Sequence, residues 1–402
     1  MNGEMGMETA LKAHLMTYDN QPEQLLRYHP NRYYQSREFF GPLYNYYRSA
    51  ENKEGILSVD AFDELAHRFI SNHWRPTLLT LPLELRPKGI SRLSQEVSLF
   101  SHVARFQKCG RNIFHFSPAL KDLLLLTDVD DVFWHSIKLP YPSIYIWFGQ
   151  REGWSFVGSE YSVDGAYVSE IFGQGIEILV TTYRAGLDYS KPINFVLYRD
   201  AYYYVPFQNG PDSTVGQSLS EALRDDSFNI DWTVPPIDED TTRLAARAGV
   251  EVVQAEEPSQ RRTARENVSG LPVFREVLRL IINCLCYLSS PGSEVQQRFP
   301  EETLEKEYRL APDETEKQRV IKRAGREGFT RINFCGLSLE RSAEQLPTGR
   351  EVAAHWRRGH WRNQAFGESR AEHKLLWIRP TLVRKDKASE AVSGHIYRVT
   401  QQ

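Results

Sequence analysis

The sequence predicts an α+β fold: a helical N-terminal part, a central mainly antiparallel sheet, a buried C-terminal helix and a C-terminal β-hairpin. Three observations carry this. Apolar residues recur at helical spacing in the first third of the chain, and they alternate with period two from Ser143 onward. A compact apolar stretch, Val277 to Leu288, precedes a strongly charged segment and a final strand-like tail.

Taken in order, residues 60–70 place Phe62, Leu65, Phe69 and Ile70 on one helical face, with acidic residues in the first turn. Ser117-Pro118 supplies a cap and a first-turn proline for a helix over Ser117 to Leu126. From Ser143 to Phe148, Ile144, Ile146 and Phe148 alternate with Tyr145 and Trp147, so one face is aliphatic and the other aromatic. Similar runs at 165–169, 176–183, 194–198 and 201–205 predict further strands, with Arg199-Asp200 as a tight turn. A short helix is expected over Ser218 to Leu223. Residues 236–270 are charged and poor in large apolar groups, which predicts a mobile insertion. A helix from Pro272 to Leu288 follows, stopped by Ser289-Ser-Pro-Gly292. A solvent-facing helix is expected around Asp313 to Arg323, where acidic residues precede basic ones. Strands are expected at 375–378 and 394–399. The chain thus divides into a helical and sheet region (1–235), the insertion (236–270), and a last region (271–402) packed on the first.

Composition narrows the function. A net charge of -3 over 402 residues excludes a chain-wide attraction to nucleic acid or membrane, so any basic surface is local. Four irregularly spaced cysteines are no disulfide framework. Cys284 and Cys286 on one helix point roughly 200° apart, which suits buried reduced thiols rather than a shared metal. Asp128-Val-Asp-Asp131 reads as a charged capping loop rather than an ion site. The N-terminus has no basic-then-apolar secretion signal and no stretch is long enough to span a bilayer, which places the chain in the cytoplasm. There is no phosphate-cradling glycine loop, nucleophile elbow or zinc-protease helix. The expectation is a protein that binds another macromolecule, with no cofactor and no metal.

The most informative stretch runs from Arg350 to Pro380. His-Trp-Arg occurs twice in it, at 355–357 and 360–362. Between Arg350 and Lys387, ten Lys and Arg face four Asp and Glu, a local +6 in an otherwise acidic chain. Arginine interleaved with aromatic rings suits unpaired RNA, through phosphates and base stacking. The same groups suit a peptide with acidic and aromatic side chains. His355, His360 and Lys374 could instead act as general acids and bases in metal-independent RNA cleavage. In the plainest reading the tryptophans fill a hairpin core and the arginines form a solvated edge.

Arg357-Arg358-Gly359-His360-Trp361, the glycine at 367, and a basic strand with Trp377 and Pro380 resemble the C-terminal signature of a type V-A anti-CRISPR family. Trp74-Arg75, Leu139-Pro140, Tyr203-Tyr204-Val205-Pro206 and Gln217-Ser218 onward echo it in the same order, and the charged stretches at 240–268 and 293–349 depart from it. The resemblance implies a phage- or plasmid-borne protein acting in the bacterial host cell. It would bind the N-terminal peptide of a nascent CRISPR effector nuclease at the ribosome and trigger loss of its mRNA. It implies a binding groove drawn from Arg357, Arg358, His360, Trp361, Arg362, Trp377, Tyr145 and Trp147. The alternative is an RNA-binding protein or ribonuclease that uses the same basic tail.

Overall fold

The computed structural model describes residues 27–33, 68, 72, 75–83, 86, 102–103, 105–106, 109–154, 162–171, 175–183, 201–206, 213–228, 239–252, 258–326, 329–339, 354–370 and 372–384. The expected helix at 60–70 and the strands at 194–198 and 394–399 lie outside these residues, apart from Arg68.

A seven-stranded sheet organises the chain, in the order β6-β5-β4-β3-β1-β8-β7. Its strands are β1 (Ile113–Phe116), β3 (Ser143–Trp147), β4 (Ser162–Ile171), β5 (Gly175–Tyr183), β6 (Ala201–Pro206), β7 (Val295–Arg298) and β8 (Ile332–Cys335). The flanks are antiparallel, while β1 pairs parallel with both β3 and β8 at the centre. The expected strands at 165–169, 176–183 and 201–205 are thus β4, β5 and β6. The β3 alternation continues across the sheet, with Ile144 opposite Val168 and Tyr145 opposite Tyr167.

The aliphatic face carries the main core. Helices α3 (Pro118–Leu125), α4 (Val215–Phe228) and α6 (Pro258–Ser289) cover it, and Ile144, Ile146, Val168, Ile178 and Val180 pack against Leu278, Ile281, Ile282 and Leu285. Ser117 caps α3 as the sequence predicts: its Oγ accepts from Leu120 N–H at 3.3 Å and donates to the Gly336 carbonyl at 3.0 Å. Three cysteines (Cys284, Cys286, Cys335) are free and buried in this core, and burial pushes their thiols well up from the ordinary range.

The aromatic face is covered by α1 (His29–Tyr33) and by residues near 105. Phe106 meets Tyr145 and Tyr167 edge-on, and Tyr28 meets Trp147. This second layer is polar as well as aromatic. Tyr145 Oη pairs with Thr181 Oγ1 at 3.0 Å, Thr181 Oγ1 donates to Asp164 at 2.9 Å, and Arg105 forms an ion pair with Glu177. Gly165 is needed here, because a Cβ would sit 2.3 Å from Tyr145 Oη.

Two helices occupy the segment expected to be an insertion. α5 (Glu239–Ala248) sets Ala245 and Ala248 against Leu78 of α2 (Arg75–Thr80), and α6 begins at Pro258 rather than Pro272. Small apolar residues at helical spacing suffice to dock α5, a pattern hidden by the charge around it. The charged segment after α6 folds as a helical pair, α7 (Glu302–Leu310) and α8 (Glu314–Arg326), around Phe299, Leu304, Val320 and Ala324. Only α8 was expected.

Candidate functional site: the C-terminal hairpin

The tail forms β10 (Gly359–Phe366) and β11 (Glu372–Ile378), an antiparallel hairpin. Beside it, β9 (Ala354–Arg357) pairs with β12 (Thr381–Arg384). β10 also runs parallel to the two-residue strand β2 (Thr127–Asp128), where Gly359 N–H donates to the Leu126 carbonyl at 2.9 Å. Gly359 has a steric role rather than a conformational one. A Cβ there would stand 2.7 Å from both Pro380 Cδ and Thr127 Oγ1.

One face of the hairpin is anchored in the main core. Trp361 is buried and stacks on Trp377 at 5.8 Å between centroids and 21° between planes. Its indole N–H donates to Asn283 Oδ1 of α6 at 2.7 Å, and Asn283 Nδ2 donates to the Thr127 carbonyl at 3.1 Å. Trp377 donates to Thr127 Oγ1 at 3.1 Å, which in turn donates to the Leu123 carbonyl at 2.8 Å. The Trp377 ring also meets Tyr287 edge-on. β2 is tied to the same helix: Arg279 pairs with Asp128 at 2.8 Å and Asp130 at 2.5 Å. Burial raises the Asp128 pKa, but hydrogen bonds from backbone N–H groups and the Arg279 guanidinium outweigh it and hold the carboxyl below its usual range.

The other face is open. Register pairs His360 with Ile378, Arg362 with Leu376, Gln364 with Lys374 and Phe366 with Glu372. Arg357, Arg358, His360 and Arg362 are all exposed. Lys374 lies over the Phe366 ring at 5.0 Å.

The structure does not bring the eight expected groove residues together. Arg357, Arg358, His360 and Arg362 share the exposed side of the hairpin and its entry, whereas Trp361 and Trp377 point into the core. Tyr145 is fully buried on the opposite face of the large sheet, and Trp147 packs there on Tyr28 and His115. Alternation along β3 forces this, because residues flanking Ile144 and Ile146 must face away from the α6 layer. His115 sits in that aromatic layer at 2.8 Å from Tyr28 Oη, and burial lowers its pKa to about 3. Sequence reasoning missed Asn283 and Thr127, the two residues that hold the hairpin. A polar side chain amid Leu-Ile-Ile-Asn-Cys-Leu was the available signal, since a buried amide demands partners. Among the described residues no group of three His, Cys, Asp or Glu could hold a metal ion, and no helix is long and apolar enough to cross a membrane.

A mixed sheet is thus backed by a long helix, to which Trp361 ties a basic hairpin through Asn283. Residues 114–385 match the model of the AcrVA2-like, anti-CRISPR type V subtype A2 family. The chain belongs to this anti-CRISPR family. Three chains of solved structures match; one, described as a crystal structure of AcrVA2, is 12% identical, with a TM-score of 0.40 over 86% of this chain and 96% of that one. No curated protein matches.

Proposed function

We propose that this chain recognises the N-terminal peptide of a nascent type V-A effector nuclease in the host cytoplasm and brings about loss of the mRNA being translated. Family membership supports the anti-CRISPR role. The observation that carries the finer reading is the exposed side of the hairpin, with Arg357, Arg358, His360 and Arg362 in solvent on a frame that Trp361 and Trp377 fix. A preformed, charged surface suits a short extended segment, because little ordering entropy is lost on its side of the complex. Message loss then follows through a recruited nuclease at the ribosome.

The test is a reporter whose 5′ end encodes the effector's N-terminal segment, expressed with and without this protein. Reporter mRNA should fall for the native peptide and for a synonymous recoding of it. It should persist for a frameshifted version with nearly the same nucleotides. Loss that follows the nucleotides and not the peptide would favour direct RNA recognition. His360→Gln should lower peptide affinity and message loss together, and the purified protein should not cleave naked RNA.

A further inference from the structure

The open face of the hairpin is not uniformly basic. It also carries apolar groups: Ile378 is 40% exposed at one end, Phe366 is 37% exposed at the other, and Leu376 lies half-buried next to Ile378 along β11. His360 faces Ile378 and Arg362 faces Leu376 across the two strands, and Lys374 follows Leu376 along β11, opposite Gln364. Successive residues on one face of a strand are about 7 Å apart, so His360 and Arg362 form a polar row on β10 beside an aliphatic row of Ile378 and Leu376 on β11, and an extended segment lying between the rows turns alternate side chains to each. The only carboxylate in this register is Glu372, opposite Phe366 at the distal end. The two tryptophans of the β10–β11 hairpin, Trp361 and Trp377, are turned inward and hydrogen-bonded there.

We infer that this face docks an acidic protein segment whose apolar side chains alternate with its carboxylates. The segment lies flat across β10 and β11, with carboxylates on Arg362, His360 and Lys374 and apolar groups on Ile378 and Leu376. The inference rests on the proposed function and specifies the chemistry of the partner. Charge complementarity selects an acidic occupant. The exposed aliphatic groups select protein over RNA, because a phosphate backbone has nothing to bury against Ile378 and Leu376.

The experiment uses the full chain with three fluorescent probes: a peptide alternating Glu with Leu and Phe, its Lys-for-Glu counterpart, and a short oligouridine. Anisotropy is read across a salt series. The acidic peptide should bind and the lysine peptide should not. Arg362→Glu should weaken acidic-peptide binding by about tenfold or more, and Ile378→Ser by several-fold at unchanged net charge. Both side chains are exposed, so thermal midpoints should stay put; Lys374→Glu replaces Arg362→Glu if that variant unfolds early. Tighter oligouridine binding, with a steep salt dependence and no response to Ile378→Ser, would overturn the inference in favour of RNA. Binding of the acidic peptide unaffected by either charge reversal would also overturn it. The reporter assay keeps the two readings separate. Peptide-dependent message loss that survives Arg362→Glu leaves the function standing and removes this face from it. Message loss indifferent to the peptide does the reverse.

Discussion

Trp361→Phe is the sharpest probe of how the hairpin is held. Phenylalanine keeps an aromatic ring beside Trp377 but removes the indole N–H that donates to Asn283 Oδ1 at 2.7 Å. Asn283 is 1% exposed, so that oxygen is left without this donor where water does not reach it. A buried acceptor without its donor costs roughly 1–3 kcal/mol, and the lost ring volume adds about 1 kcal/mol more. Asn283→Leu strands the opposite partners, the Trp361 N–H and the Thr127 carbonyl, at a similar cost. Combining the two removes both ends of the bond, so the double variant should be less destabilised than the sum by about 1–2 kcal/mol. Urea unfolding followed by fluorescence and by circular dichroism measures all four proteins, with the change in midpoint read at constant slope. Strict additivity, or a neutral Trp361→Phe, would refute the claim that this hydrogen bond ties the hairpin to α6.

Two further outcomes follow from packing and titration. Gly359→Ala should cost about 1–3 kcal/mol in the same assay, since the new methyl meets Pro380 and Thr127 at 2.7 Å against a backbone pinned to Leu126. For His115, burial lowers the folded pKa to about 3, so below its unfolded value near 6.5 the unfolded chain binds the extra proton. Stability is therefore lost as pH falls from about 6.5 towards 3, by about 2 kcal/mol at pH 5 on the usual scale of roughly 1.4 kcal/mol per pH unit. His115→Phe should lack that portion of the slope, and parallel pH–stability profiles for the two proteins would refute the assignment.

The sequence was most legible where a signal is local. Ser117-Pro118 marked the start of α3, and strict alternation marked β3 with both of its faces. It was least legible where pairing is distant. β1 and β8 are four residues each, and Phe114 pairs with Asn333, so neither segment has a pattern that stands out before the other is known. For the site, residue type pointed to the right segment but not to its sides. The alternation His360-Trp361-Arg362, read as period two, already separates an inward ring from two outward polar side chains. Grouping them with Tyr145 and Trp147 overlooked that Ile144 and Ile146 consume the α6-facing side of β3. The start of α6 was misplaced because Pro272 is favourable in a first turn, yet the helix runs through it and forgoes one backbone donor.

The two-residue period of β10 and β11 has a consequence for how such a protein changes over generations. Gly359, Trp361, Leu375 and Trp377 answer to the core, while their immediate neighbours His360, Arg362, Leu376 and Ile378 answer to whatever lies outside. A point substitution at an outward position alters the exposed face while leaving the inward neighbours and their hydrogen bonds in place. The proposed docking face can therefore change one side chain at a time, with no compensating repair inside the molecule. Inward positions have no such freedom, because each is tied at once to β2, α6 or the other strand.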